Sequence, residues 1–197
     1  FELNAGGKGT GGAFVAASDR SFFVHTRLKG TRQFHLESGV KTAFLPNEPV
    51  LGAGELYSAE VIEGKAKVCC WTEDGKKRWE IEADGQGDLI RSGTILYAAG
   101  LDPTSLAVES STTTRKSRLT AIQLPESESA PKVLWSIPIN GQVERLIAGN
   151  GRLVAVTLEG ALHVLGDPKL QAVVSSREDA KVTIQTSLSP SSQKSDL

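Results

Sequence analysis

The apolar positions of this chain fall into short unbroken runs instead of helical stripes. Gly12-Ala13-Phe14-Val15-Ala16-Ala17, Gly54-Glu55-Leu56-Tyr57-Ser58-Ala59, Gly93-Thr94-Ile95-Leu96-Tyr97-Ala98 and Gly151-Arg152-Leu153-Val154-Ala155-Val156 share one form. Each is a glycine followed by large apolar residues that give way to small ones. Continuous apolarity over so few residues predicts a strand covered on both faces. The last copy continues through Leu158-Glu159-Gly160-Ala161 into Leu162-His163-Val164-Leu165, which predicts a hairpin across residues 151–166.

A second feature runs in phase with the first. Phe34-His35-Leu36, Trp79-Glu80-Ile81 and Trp135-Ser136-Ile137 place an aromatic and an aliphatic at period two, on one face of a strand. Asp84-Gly85-Gln86 and Asn140-Gly141-Gln142 follow the two tryptophans and predict turns, because Asp, Asn and Gly tolerate positive φ. Glu73-Asp74-Gly75-Lys76 predicts another hairpin. No stretch combines a helix cap with three-four apolar spacing, so the chain reads as nearly all β. Two polar inserts, residues 110–117 and 125–131, read as exposed loops; the first, with Arg115, Lys116 and Arg118, is a possible contact surface. Lys181-Val182-Thr183-Ile184-Gln185-Thr186 reads as one isolated strand.

A unit of roughly 40–45 residues holding several short strands is the signature of a propeller blade. One small twisted sheet cannot cover its own faces, so such units stack. The expected organisation is a Gly-rich connector over 1–11, a partial β-propeller of about three to four blades over 12–166, and a Ser- and charge-rich linker or tail over 167–197. A partial propeller of this kind leaves apolar faces open. The chain begins at Phe1 and has no Met, which reads as a fragment or processed chain.

Composition removes several function classes. Net charge is -1 from 22 basic and 23 acidic side chains, without the basic excess of a nucleic-acid surface. No apolar run approaches the ~20 residues that cross a bilayer. Gly6-Gly7-Lys8-Gly9-Thr10 lacks the Lys-Ser/Thr step of a phosphate-binding loop and reads as a connector.

The stretch from Cys69 to Trp79 resembles the pyrroloquinoline-quinone repeat. Gly75 and Trp79 stand at that repeat's closing glycine and its blade-docking tryptophan. Cys69 and Trp71 stand where the family commonly has Ala and Asp, and Gln123 where the next copy would have Asp. The resemblance spans residues 12–166 and is nearest in style to scaffold members, the outer-membrane assembly lipoprotein type and large bacterial proteins with quinoprotein-like propellers. It implies a non-catalytic module in the bacterial cell envelope or periplasm, with a protein partner or attached domain and no cofactor.

The alternative is the remnant of a quinone-dependent alcohol dehydrogenase. Enzymes of that kind carry an adjacent-cysteine disulfide over the quinone, which makes Cys69 and Cys70 the cofactor-binding candidates. It implies pyrroloquinoline quinone with calcium, and that the two cysteines bridge. Their place inside an apparent strand predicts burial as small apolar residues instead. Asp74, Asp84, Asp88, Glu126 and Glu128 read as turn or loop acids without metal-ligand spacing, and His25, His35 and His163 as separate strand residues. Trp79 and Trp135 read as inter-blade packing. No catalytic or metal residue is assigned. For a third class, sugar or peptide binding in an axial mouth, the sequence names no residue.

Overall fold

A computed structural model describes residues 15–26, 30–45, 48–103, 116–126, 129–149, 151–166 and 174–175. Among them, strands pair only with chain neighbours, which gives four antiparallel four-stranded sheets. Sheet A holds β1 (Val15–Ala17), β2 (Ser21–Thr26), β3 (Gly30–His35) and β4 (Lys41–Leu45). Sheet B holds β5 (Val50–Leu51), β6 (Glu55–Ile62), β7 (Lys65–Thr72) and β8 (Lys77–Glu82). Sheet C holds β9 (Asp88–Ser92), β10 (Ile95–Leu101), β11 (Lys116–Gln123) and β12 (Lys132–Asn140). Sheet D holds β13 (Val143–Gly149), β14 (Arg152–Thr157), β15 (Leu162–Leu165) and β16 (Val174–Ser175).

The glycine-led runs at 54, 93 and 151 become β6, β10 and β14, the second strand of each sheet. Gly93 and Gly151 sit in their turns at φ 59° and 70°, a region that L side chains avoid. A second strand has a neighbour on each edge, and β6 and β10 also have a sheet against each face, which explains their unbroken apolarity. The run from Gly12 breaks this rule. Its described part, Val15-Ala16-Ala17, is β1, a first strand, so that copy is out of phase with the others. The true second strand, β2, follows Asp19-Arg20 without a glycine, which hid it from a pattern that looked for one.

Phe34-His35-Leu36 is also out of phase. Phe34 lies on β3, whereas Trp79 and Trp135 lie on the fourth strands β8 and β12, and Leu36 turns out into solvent. The insert at 110–117 is shorter than expected, because Lys116 and Ser117 already belong to β11 and Ser117 is buried. Pairing continues past Gly166 to β16, while the connector over 1–11, the isolated strand at 181–186 and the rest of the tail lie outside the described residues.

Consecutive sheets pack face to face over three apolar clusters. Between A and B lie Phe23, Leu45 and Leu56, with Leu51 and Trp71 against them. Between B and C lie Tyr57, Val68, Cys70, Leu89, Leu96, Ala98 and Ile122. Between C and D lie Ala99, Leu119, Ile139, Val143, Leu146, Leu153 and Ala155. The packing repeats in register. Tyr57 pairs across to Cys70 and Cys70 to Trp79, while Tyr97 pairs to Ala121 and Ala121 to Trp135. In both rows the outer aromatics close over a small central residue, with ring centroids 5.9 Å apart. That geometry is where the two tryptophans earn their blade-packing role.

The same register in sheet D places Ile147, Val154 and Val164 in one row, on the side away from sheet C. Ile147 is 57% exposed and Leu162 37%. Part of this apolar face is therefore exposed among the described residues.

Candidate functional site

The blades are joined at one end by residues that carry the chain from a fourth strand to the next first strand. Between B and C the junction is Ala83-Asp84-Gly85-Gln86-Gly87. The Asp84 carboxylate accepts from the amides of Gln86 at 2.9 Å and Leu101 at 3.0 Å, which locks the junction onto β10. Gly100 allows this contact, since a Cβ there would fall 2.1 Å from the Asp84 side chain. Gly85 in this predicted turn does not need its tolerance of positive φ. It is instead a close-approach residue, whose added Cβ would meet Ala59 at 3.2 Å and Leu89 at 3.3 Å. Gly141, in the junction between C and D, does have φ 99°. There Glu159 accepts from the Gln142 amide through both oxygens, at 2.9 and 3.1 Å.

The first strands bring three charged residues to one position. Asp88 and Arg145 each precede by two residues the aliphatic, Ile90 or Ile147, that pairs with Tyr97 or Val154. Glu48 stands in the same relation to Val50, which pairs with Tyr57. Glu48, Asp88 and Arg145 are therefore repeat-equivalent in sheets B, C and D, and they meet around a cavity of about 420 Å³. Val50, Ala59, Leu89 and Leu146 give it an apolar wall, and residues 85–87 its rim.

The three charges are not equally committed. Asp88 accepts from the Leu146 amide at 2.6 Å and from the Leu89 amide at 2.9 Å, and the Arg145 guanidinium stands 3.8 Å away. Asp88 thus ties β9 to β13 across two sheets. Among the described residues, no hydrogen bond or ion pair engages the Glu48 carboxyl. Burial pushes that carboxyl up to about 7; Arg145 pulls it down and Asp88 adds to the rise.

The sequence missed this site for a physical reason. By its local sequence Asp88 reads as a turn acid, but it opens β9. Glu48 and Arg145 carry no local motif, and only strand register shows that the three are equivalent. Among the described residues, no group of three or more His, Cys, Asp or Glu could hold a metal.

Cys69 and Cys70 lie elsewhere, in the middle of β7, unbridged and fully buried. Cys69 faces sheet A in a row with Ser58 and Glu80, and Cys70 faces sheet C between Tyr57 and Trp79. Burial first, then Glu60, pushes the Cys69 thiol up to about 12. Burial first, then Glu55, does the same to Cys70. Neither thiol lines the cavity, and their opposite faces do not fit a ring disulfide stacked on a quinone. The His163 imidazole Nε2 is 2.9 Å from the Asn140 carbonyl, and His35 Nδ1 accepts from the Ser38 amide at 3.3 Å. The His25 side chain, Arg115 and Glu128 lie outside the described residues. Arg118 pairs with buried Asp102 at 3.0 Å, so it braces β11.

No protein-family profile and no curated protein matches the chain. Solved structures do match. BamB from Moraxella catarrhalis aligns with a TM-score of 0.54 and 13% identity, over 82% of this chain and 46% of that one. Two computationally designed proteins align as well. Ika8 gives 0.53 and 10% identity over 77% of this chain and 44% of its own. Ika4 gives 0.55 and 13% over 77% and 88%. The chain therefore spans a little under half the length of the BamB and Ika8 chains it matches. Identities this low speak for the fold alone. Four up-and-down sheets, stacked face to face in chain order and aligned with these structures, give this chain an all-β, propeller-like fold with four blade-like sheets among its described residues.

Proposed function

We propose that the chain is a non-catalytic interaction module that receives a protein partner, or an attached domain, at the mouth where the first strands meet. The observation that supports this reading is the convergence of Glu48, Asp88 and Arg145, one from each of three blades, on a single part-apolar cavity. A mouth with an apolar wall and few convergent polar groups is the usual form of a recognition site. Of the two carboxylates there, Asp88 is committed to structure, holding β13 through the Leu146 amide. The quinone-dehydrogenase alternative would need the Cys69–Cys70 pair at the cofactor, and both thiols are interior to sheet B.

Gln86 is exposed on the cavity rim, and only its backbone amide is used, so its side chain can be changed without disturbing the junction. Gln86→Trp is expected to fill the mouth and leave the fold intact. Immobilised wild-type chain should then retain a partner that the Gln86→Trp chain releases. Equal capture by both chains, or measurable turnover by the purified protein, would contradict the proposal.

A further inference from the structure

We infer that the mouth cavity is a socket for a basic side chain, a guanidinium or ammonium carried on an aliphatic stem. This rests on the interaction reading above and specifies what the partner would insert.

The cavity has two unlike parts. Val50, Ala59, Leu89 and Leu146 form an apolar wall of a kind that a methylene stem covers. Glu48 supplies a carboxyl at the edge of that wall. Asp88 already has two backbone amides on its oxygens, and the exposed Arg145 guanidinium stands 3.8 Å from it. Among the described residues, that leaves Glu48 as the carboxyl of the site with no donor on it. A carboxylate partly withdrawn from water, with no donor on it, is destabilised as an anion. The same withdrawal from water is what pushes its pKa up to about 7. An incoming cation removes the penalty by donating charge-assisted hydrogen bonds.

The charge balance also selects the guest. With Glu48 ionised, the three groups sum to one negative charge, so an anionic guest is opposed by two carboxylates and favoured by Arg145 alone. A cation finds the reverse, provided it enters on the Glu48 side. The groups that face Glu48 from the packed elements are Asp88 of β9 and Arg145 of β13. Glu48 is about half ionised near neutrality, so cation binding should strengthen as pH rises through 7 and level off above it.

N-acetyl-arginine amide is a minimal probe, with N-acetyl-norleucine amide as the uncharged control. Both would be titrated into the isotope-labelled full chain and followed through backbone amide resonances. The arginine probe is expected to shift the amides of Gly87, Asp88, Leu89 and Leu146, with a dissociation constant at least tenfold lower at pH 8 than at pH 5.5. The control should shift them weakly and without pH dependence. Glu48→Gln, checked for an unchanged spectrum elsewhere, should bring the arginine probe down to the level of the control. Equal binding of the two probes, or undiminished arginine binding to Glu48→Gln, would overturn the inference. Loss of partner capture in Gln86→Trp alongside intact capture by Glu48→Gln would overturn the socket and leave the interaction reading standing.

Discussion

The two faces of sheet B are built on different chemistry. Toward sheet C it presents Tyr57, Val68, Cys70, Trp79 and Ile81, against Leu96, Ala98 and Ile122. Toward sheet A it presents Leu56, Ser58, Glu60, Cys69 and Trp71. Glu60 is buried there and accepts from Ser58 Oγ at 2.5 Å and Trp71 Nε1 at 2.7 Å. Sheet A answers with Gln33, which donates to Ser21 Oγ at 2.9 Å and to the Glu73 carbonyl at 3.0 Å, and with Ser18, which donates to the Glu73 carboxylate at 3.1 Å. The B–C interface is held by burial, which needs volume but little direction. The A–B interface is held partly by directed bonds, which are weaker net and costly when broken. One repeat thus tolerates two kinds of blade contact as long as its strand register is kept.

The B–C side should be the more sensitive to lost volume. Leu96→Ala or Ile122→Ala removes a fully buried side chain and should cost about 3 kcal/mol in denaturant unfolding. A cost under about 1 kcal/mol would mean that this interface is not a close-packed core. On the A–B side the equivalent blow is electrostatic. Glu60→Ala strands Ser58 Oγ and Trp71 Nε1 and should cost about 2 kcal/mol. Glu60→Leu, which keeps the volume but not the bonds, should recover little of it.

The two cysteines report on the two interfaces separately. Both thiols are buried and held far above the range in which they ionise at pH 8, so native protein should resist a thiol-specific disulfide reagent. If the polar A–B contact opens first, Cys69 in a Cys70→Ser chain should label faster than Cys70 in a Cys69→Ser chain. The opposite order would reverse the ranking of the interfaces.

A smaller effect belongs to the mouth. The folded pKa of Glu48 is raised above its unfolded value near 4.5, so folding takes up a proton. The associated stability is present below about pH 4.5 and is lost as pH rises through 7. Glu48→Gln should flatten that decline and leave the protein more stable at pH 8, by on the order of 1 kcal/mol once solvent screening is allowed for. Melting temperatures across pH 4 to 8 would show it. The smallest effect is expected at Thr31, whose buried Oγ1 has no hydrogen-bond partner among the described residues. Thr31→Val should be neutral or slightly stabilising, because it removes an unmet hydroxyl without changing shape.

How legible this was in the sequence depended on whether the signal was local. Glycine followed by an apolar run marked β6, β10 and β14, because an inner strand packed against a neighbouring sheet has few polar options. The tryptophan with an aliphatic two residues on marked β8 and β12. Sheet A slipped, since β2 opens without a glycine and its aromatics, Phe22 and Phe34, stack at 5.1 Å in a different row from the Tyr–Trp pairs. The mouth was not legible at all. Glu48, Asp88 and Arg145 are scattered along the chain and share no motif. Their equivalence exists only in the pairing register of first strands on second strands. Cys69 and Cys70 attracted notice as neighbours in sequence, and strand alternation sends them to opposite interfaces.

The surface a partner covers is the most direct test of the mouth as the binding site. Amide hydrogen exchange of the chain, alone and with its captured partner, would map that surface. Slowed exchange concentrated at residues 85–90 and 145–146, and absent from β8 and β12, is the predicted result. Protection confined to those outer strands, with the mouth exchanging as in the free chain, would contradict it.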